Sequence, residues 1–211
     1  MRARFIEIID PETNTVSAVP GFDSASVDKW NGGVLAPNGK IYCAPFNDTR
    51  VLIIDPATNT FDLTSLVGFS GSQKWRGGVL GPNGKIYFIP QNETRVLIID
   101  PATNTADLTT ITGLPGSSQY LYGALGPNGK IYGLPFVASN VFTIDTITGT
   151  EDVVDRTSIP VNADPAKFFG GVLAPNGKIY CVPYQYPNIL VINTGLPTLP
   201  PWMLQAPFNK L

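Results

Sequence analysis

Four dipeptides recur along the chain, Lys29-Trp30, Lys74-Trp75, Gln119-Tyr120 and Lys167-Phe168, each setting a cation or an amide before an aromatic ring. A ring beside a polar group can stack on the apolar face of a sugar or anchor a protein partner, and loops on a rigid scaffold commonly carry such sites. The same aromatics would also serve as wedges between neighbouring repeats, and the residues alone leave both roles open. The candidate ligand-binding residues are therefore Lys29, Trp30, Lys74, Trp75, Tyr120, Lys167 and Phe168.

Other chemistries find little support. The chain contains no histidine, which removes His general bases, His-containing nucleophilic triads and His metal ligands. Asp10, Asp55, Asp100 and Asp145 fall at a regular interval of 45 residues, but the turns offer one carboxylate each, with Glu12 beside Asp10 in the first, where calcium needs several oxygens, so turn capping is expected. "GFSGS" at 68–72 misses the nucleophile-elbow pattern and has no His partner. Asn47-Asp48-Thr49 and Asn92-Glu93-Thr94 fit the N-glycosylation pattern and read equally as polar turns. Cys43 and Cys181 follow Tyr42 and Tyr180, so they occupy equivalent places in different repeats, too far apart to pair. No catalytic residue, metal site or cofactor is expected.

The elements that hold these residues follow from two repeated phrases. "GGVLAPNGKIYCAPF" at 32–46 returns as "GGVLGPNGKIYFIPQ" at 77–91, "YGALGPNGKIYGLPF" at 122–136 and "GGVLAPNGKIYCVPY" at 170–184. Between them stand "FIEIIDPETNT" at 5–15, "VLIIDPATNT" at 51–60 and 96–105, "VFTIDTITGT" at 141–150 and "ILVINTG" at 189–195. A period near 45 residues signals a solenoid, propeller or array, and short Val/Ile/Leu/Tyr/Thr runs between Pro-Asn-Gly and Asp-Pro turns exclude helical repeats. In the unit 77–112 the pattern predicts four antiparallel strands: A at 78–80, B at 85–90, C at 96–100 and D at 106–111. Asn83-Gly84 would turn A into B, and Asp100-Pro101 would turn C into D.

The unit resembles the blades of NHL, YVTN and kelch-type β-propellers, with "PNGKIY" at the A–B turn and "RVLIID" at the third strand. It departs from NHL blades at Pro45, Pro90, Pro135 and Pro183, where an acidic residue often ends strand B. The chain is also similar in size and repeat length to five-bladed tachylectin-type lectins. The resemblance implies an all-β, single-domain propeller of four-stranded antiparallel blades over residues 1–211. Blades fall at about 32–66, 77–112, 123–156 and 170–193, with an N-terminal strand pair at 5–20 and a tail at 195–211. Five blades are favoured over four, the tail then supplying a degenerate A strand.

Composition agrees with one folded unit: 43% of residues are hydrophobic, 14% are charged, and the formal net charge is -2. That balance provides no footprint for nucleic acid, and no apolar run is long enough for a signal-peptide core or for membrane insertion. The compartment is left open. In an A-B-C-D blade the Pro-Asn-Gly and Asp-Pro turns share one rim, repeated almost verbatim, while the D–A and B–C segments share the other and vary. The expectation is a non-catalytic module that binds a glycan or protein partner through the variable rim. The alternative is a structural segment of a larger surface or particle-associated repeat protein, assembled through incomplete terminal blades. A propeller enzyme is the third reading, and the inner strands "GGVL" and "YGAL" offer it no carboxylate pair.

Overall fold

The computed structural model describes residues 6–19, 28–146, 154–158 and 166–195. They form seventeen β-strands in five separate sheets, one of two strands, three of four and one of three. β1 (Ile6–Asp10) and β2 (Thr15–Val19) make the two-stranded sheet. The first full blade runs β3 (Trp30–Leu35), β4 (Ile41–Pro45), β5 (Leu52–Asp55) and β6 (Thr60–Asp62). The second runs β7 (Trp75–Leu80), β8 (Ile86–Pro90), β9 (Leu97–Asp100) and β10 (Thr105–Asp107). The third runs β11 (Tyr120–Leu125), β12 (Lys130–Pro135), β13 (Asn140–Asp145) and β14 (Val154–Ser158). The fourth holds β15 (Phe168–Leu173), β16 (Lys178–Pro183) and β17 (Leu190–Asn193).

Within every sheet the strands follow chain order and pair antiparallel, as the A-B-C-D reading expects. The inner strands β3, β7, β11 and β15 lie against one another in that order. Their approach is close. A methyl group on Gly32 would come within 3.0 Å of the Gly77 Cα, and one on Gly77 within 2.8 Å of the Tyr122 ring. The paired glycines of the repeat therefore bring neighbouring inner strands together. The N-terminal pair forms its own sheet instead of completing the fourth blade, and residues 196–211, assigned to a fifth A strand by the sequence, lie outside the described residues.

The A–B turn departs from expectation in one respect. Gly84 alone takes a positive φ, of 79°, and its amide donates to the Gly81 carbonyl, so a type I turn ends in a left-handed glycine. Asn83 is repeated for another reason: its Oδ1 accepts from the Lys85 amide and its Nδ2 donates to the Tyr87 hydroxyl at 2.8 Å. The C–D turns do use the aspartates as caps. Asp100 Oδ1 accepts from the Ala102 and Thr103 amides, and Asp10 Oδ1 from those of Glu12 and Thr13. Strand D is shorter than predicted, ending at Asp107, because that carboxylate accepts from the Thr109 amide at 2.6 Å and from both Thr109 and Thr110 hydroxyls. Such local bonds offer the backbone an alternative to the ladder.

Burial is concentrated between blades. One core cluster joins Tyr42 and Ile53 of the first blade to Ile86, Phe88 and Ile99 of the second. The next joins Tyr87 and Ile98 to Ile131, Phe142 and Ile144, and the last joins Tyr132 and Val141 to Ile179 and Cys181. Cys43 and Cys181 are free thiols in the first and fourth blades.

Candidate functional site

The sequence-selected aromatics begin the inner strands and turn inward. Trp75, Tyr120 and Phe168 are buried, and Trp30 is half-buried. Each polar ring bonds to the start of strand C in its own blade. Trp30 Nε1 donates to the Arg50 carbonyl at 2.7 Å, Trp75 Nε1 donates to the Arg95 carbonyl at 2.8 Å, and the Tyr120 hydroxyl pairs with Asn140. Phe168 has no polar atom and packs edge-on against Tyr186 at 5.3 Å.

Their neighbours tie blade to blade. Lys74 is 1% exposed, and its ammonium donates to the carbonyls of Phe46, Asp48 and Gly71 at 2.9 to 3.1 Å. Desolvation lowers its pKa, partly countered by Glu93 and Asp48. Lys167 likewise reaches from the fourth blade to the Val137 carbonyl of the third at 2.9 Å. Lys29 lies 3.9 Å from Asp48, which also holds Arg50 at 2.7 Å. The hydrogen bond from Arg50 keeps the Asp48 carboxyl below its ordinary value against the opposing effect of burial. The seven residues stand at or just before the starts of the inner strands, and the rings of Trp75, Tyr120 and Phe168 are buried.

In the second and fourth blades the next residue along, Arg76 or Phe169, is partly exposed, whereas Leu121 of the third is buried. Directly after each aromatic the A–B register slips, between Trp30 and Gly33, Arg76 and Gly78, Tyr120 and Tyr122, and Phe168 and Gly171. A β-bulge releases a residue from the ladder and re-aims a side chain. Arg76 and Phe169 stand at these bulges, followed by Gly77 at φ 58° and Gly170 at φ 109°.

The Arg76 guanidinium sits 5.5 Å from the ring centre of Phe46, in the first blade, and 5.6 Å from that of Phe169, in the fourth. Phe169 in turn contacts Tyr122 at 5.4 Å, Tyr184 at 5.7 Å and Phe136 at 6.3 Å. The basin thus draws on all four blades. It is open to solvent: Phe169 is 44% and Tyr184 60% exposed. Among the described residues no carboxylate lies within ion-pair distance of Arg76, and its shielded Nε has no hydrogen-bond partner. Gln91 Oε1, on the same rim, is also shielded and unpaired.

Sequence reasoning passed over these residues because it followed what every repeat shares. The informative signal was the opposite. Asn31, Arg76, Leu121 and Phe169 occupy one position, as do Phe46, Gln91, Phe136 and Tyr184, and both positions vary while their surroundings repeat. Among the described residues no group of three or more His, Cys, Asp or Glu is placed to hold a metal.

No family model and no curated protein matches this sequence. Solved structures do resemble it. Virginiamycin B lyase from Staphylococcus aureus superposes with a TM-score of 0.68 at 14% identity, over 92% of this chain and 64% of the lyase. An auxiliary nutrient binding protein from Bacteroides ovatus gives 0.63 at 12% identity, over 90% and 50%. A putative 6-phosphogluconolactonase from Bacteroides uniformis gives 0.60 at 15% identity, over 89% and 59%. The fold is of the β-propeller type. The chain spans less than two thirds of the length of each of these proteins.

Proposed function

We propose that this chain is a non-catalytic binding module whose variable rim captures an acidic glycan. The observation that carries the reading is Arg76, a guanidinium beside two aromatic rings with no carboxylate within ion-pair distance among the described residues. An arginine guanidinium matches a carboxylate in two parallel hydrogen bonds. Phe169, Tyr184 and Tyr122 supply flat apolar surface beside it, suited to the ring faces of a sugar. The aromatic–lysine ring of wedges behind them supports the rim at the precision that a preformed site needs.

The resemblance of the blade to NHL, YVTN and kelch repeats, and the likeness to nutrient-binding proteins, support binding as the role. A hydrolase or lyase reading lacks its parts. Among the described residues the basin holds no carboxylate pair for acid–base work, and the chain has no histidine. Among the similar structures is virginiamycin B lyase made catalytically inactive by replacing a histidine with alanine.

A glycan array tests the proposal. Uronate- or sialate-bearing glycans are expected to bind in preference to their neutral counterparts, and Arg76→Ala is expected to remove that preference while leaving the melting temperature near wild type. Equal binding of neutral and acidic sugars, or none of either, overturns the reading.

A further inference from the structure

We infer that the exposed face of the fourth blade receives the β1–β2 hairpin of a second copy of this chain, so that copies join head to tail. The argument begins with the contact that the chain makes between its own blades. Asn38 Nδ2 donates to the Tyr42 hydroxyl at 3.1 Å and to the Pro101 carbonyl at 3.0 Å, and Tyr42 donates to Asn104 Oδ1 at 3.4 Å. The A–B turn of one blade thereby grips the C–D turn of the next. Between the third and fourth blades Asn128 grips the Tyr132 hydroxyl and the Thr194 carbonyl, both at 2.9 Å. Behind each grip lies apolar burial, in a cluster that holds both Ile53 and Ile99 in one case and in one that joins Val141 with Ile192 in another.

At the fourth blade the gripping half is assembled but holds no described blade. Asn176 Nδ2 donates to the Tyr180 hydroxyl at 2.9 Å, in the geometry of the other three, yet the pair is exposed. Val172 and Val191, the counterparts of Val34 and Ile53, are 66% and 42% exposed. Both counterparts are buried in the first blade.

The gripped half has its counterpart in the exposed turn of the β1–β2 hairpin. Pro11 and Asn14 occupy the places of Pro101 and Asn104, and Asn14 takes the same φ, 53°. The Thr13 and Thr15 hydroxyls meet at 2.8 Å, as do those of Thr103 and Thr105. The hairpin therefore presents the acceptors in the conformation that Asn38 and Tyr42 already recognise. Ile9 is 73% exposed where its counterpart Ile99 is 0%. The two halves lie on one chain at opposite ends of the blade series, which makes the contact heterologous. Glu7 is the mismatch, standing where the blades carry Leu52, Leu97, Phe142 and Leu190. It sets this contact below the internal ones in strength, as suits reversible association.

Sedimentation velocity over a range of concentrations tests the proposal on the 211-residue chain. Wild type is expected to form a concentration-dependent series above the monomer. Ile9→Asp blocks one end and Val191→Asp the other, both at exposed positions where circular dichroism confirms folding. Each variant alone is expected to stay monomeric, and their mixture to form a one-to-one dimer and nothing larger. Glu7→Leu, which restores the residue type of the repeat, is expected to move the association midpoint to a concentration at least about tenfold lower. A wild type that stays monomeric throughout, as closure of the hairpin onto its own fourth blade would give, overturns the inference. So do capped variants that fail to join, or association that both substitutions leave unchanged.

Discussion

The indole nitrogen of Trp75 donates to the carbonyl of Arg95, tying the first residue of an inner strand to the start of the third strand in the same blade. The ring itself is buried against Phe69 and the first blade, so one side chain fixes geometry within a sheet and spacing between two. Trp75→Ala is expected to cost about 3–5 kcal/mol, as removal of large core aromatics does. Trp75→Phe keeps most of the area but strands the Arg95 carbonyl, with an expected cost of about 1–3 kcal/mol. Chemical denaturation of the two variants measures both.

Arg76→Lys separates charge from shape. It retains a cation but loses the planar fork that lies between Phe46 and Phe169. The expected result is acidic-glycan binding close to that of Arg76→Ala and a melting temperature close to wild type. Calorimetric titration with a uronate oligosaccharide provides the measurement.

Two glycines with similar φ make a controlled comparison. Gly84 has φ 79° and open space where a Cβ would stand, whereas Gly77 has φ 58° and the Tyr122 ring at 2.8 Å. Gly84→Ala is expected to cost roughly 1–2 kcal/mol from backbone strain alone. Gly77→Ala is expected to cost clearly more, since the inner strands must also separate. Urea midpoints decide the order.

Stability should fall in acid through Asp62. Burial raises this carboxyl, but hydrogen bonds from Ser65 and Thr64 outweigh it and hold the group at about 2, below its ordinary 3.8. A carboxyl lowered on folding stabilises above its unfolded value, and that contribution is lost as pH falls through the folded one. The difference in melting temperature between wild type and Asp62→Asn is therefore expected to shrink between about pH 4 and pH 2.

Burial pushes the Cys43 thiol up to about 11 and that of Cys181 to about 12. Thiolate is the reactive form, so both are expected to resist iodoacetamide at pH 8 until the protein is denatured. Mass spectrometry with and without urea reads the modification.

The architecture was legible because a hairpin imposes its demands residue by residue. Pro-Asn-Gly returns at every A–B turn and Asp-Pro at the first three C–D turns, and their 45-residue spacing fixes the unit. The end of strand D was not legible, since Asp107 competes with the ladder only when Thr109 and Thr110 fold back on it. The sequence pointed to the lysine–aromatic pairs and not to Arg76 and Phe169, which follow Trp75 and Phe168 directly. Lys74 and Trp75 look like a ligand site in sequence because the Lys74 ammonium is buried on two carbonyls of a distant segment, Phe46 and Asp48, beside the local Gly71 carbonyl, a fact of tertiary structure. Arg76 is marked by the bulge beside it, and a bulge is a property of two strands in register, not of one.

Each core cluster described above is shared by two successive blades and no others. Among the described residues the buried apolar core therefore passes from neighbour to neighbour, as along a row of coupled units. The second blade is clamped on both flanks, and its β8 and β9 residues are nearly all buried. The outermost sheets are clamped on one flank. Opening should thus travel inward from the two ends, and amide hydrogens of β8 should be the last to exchange.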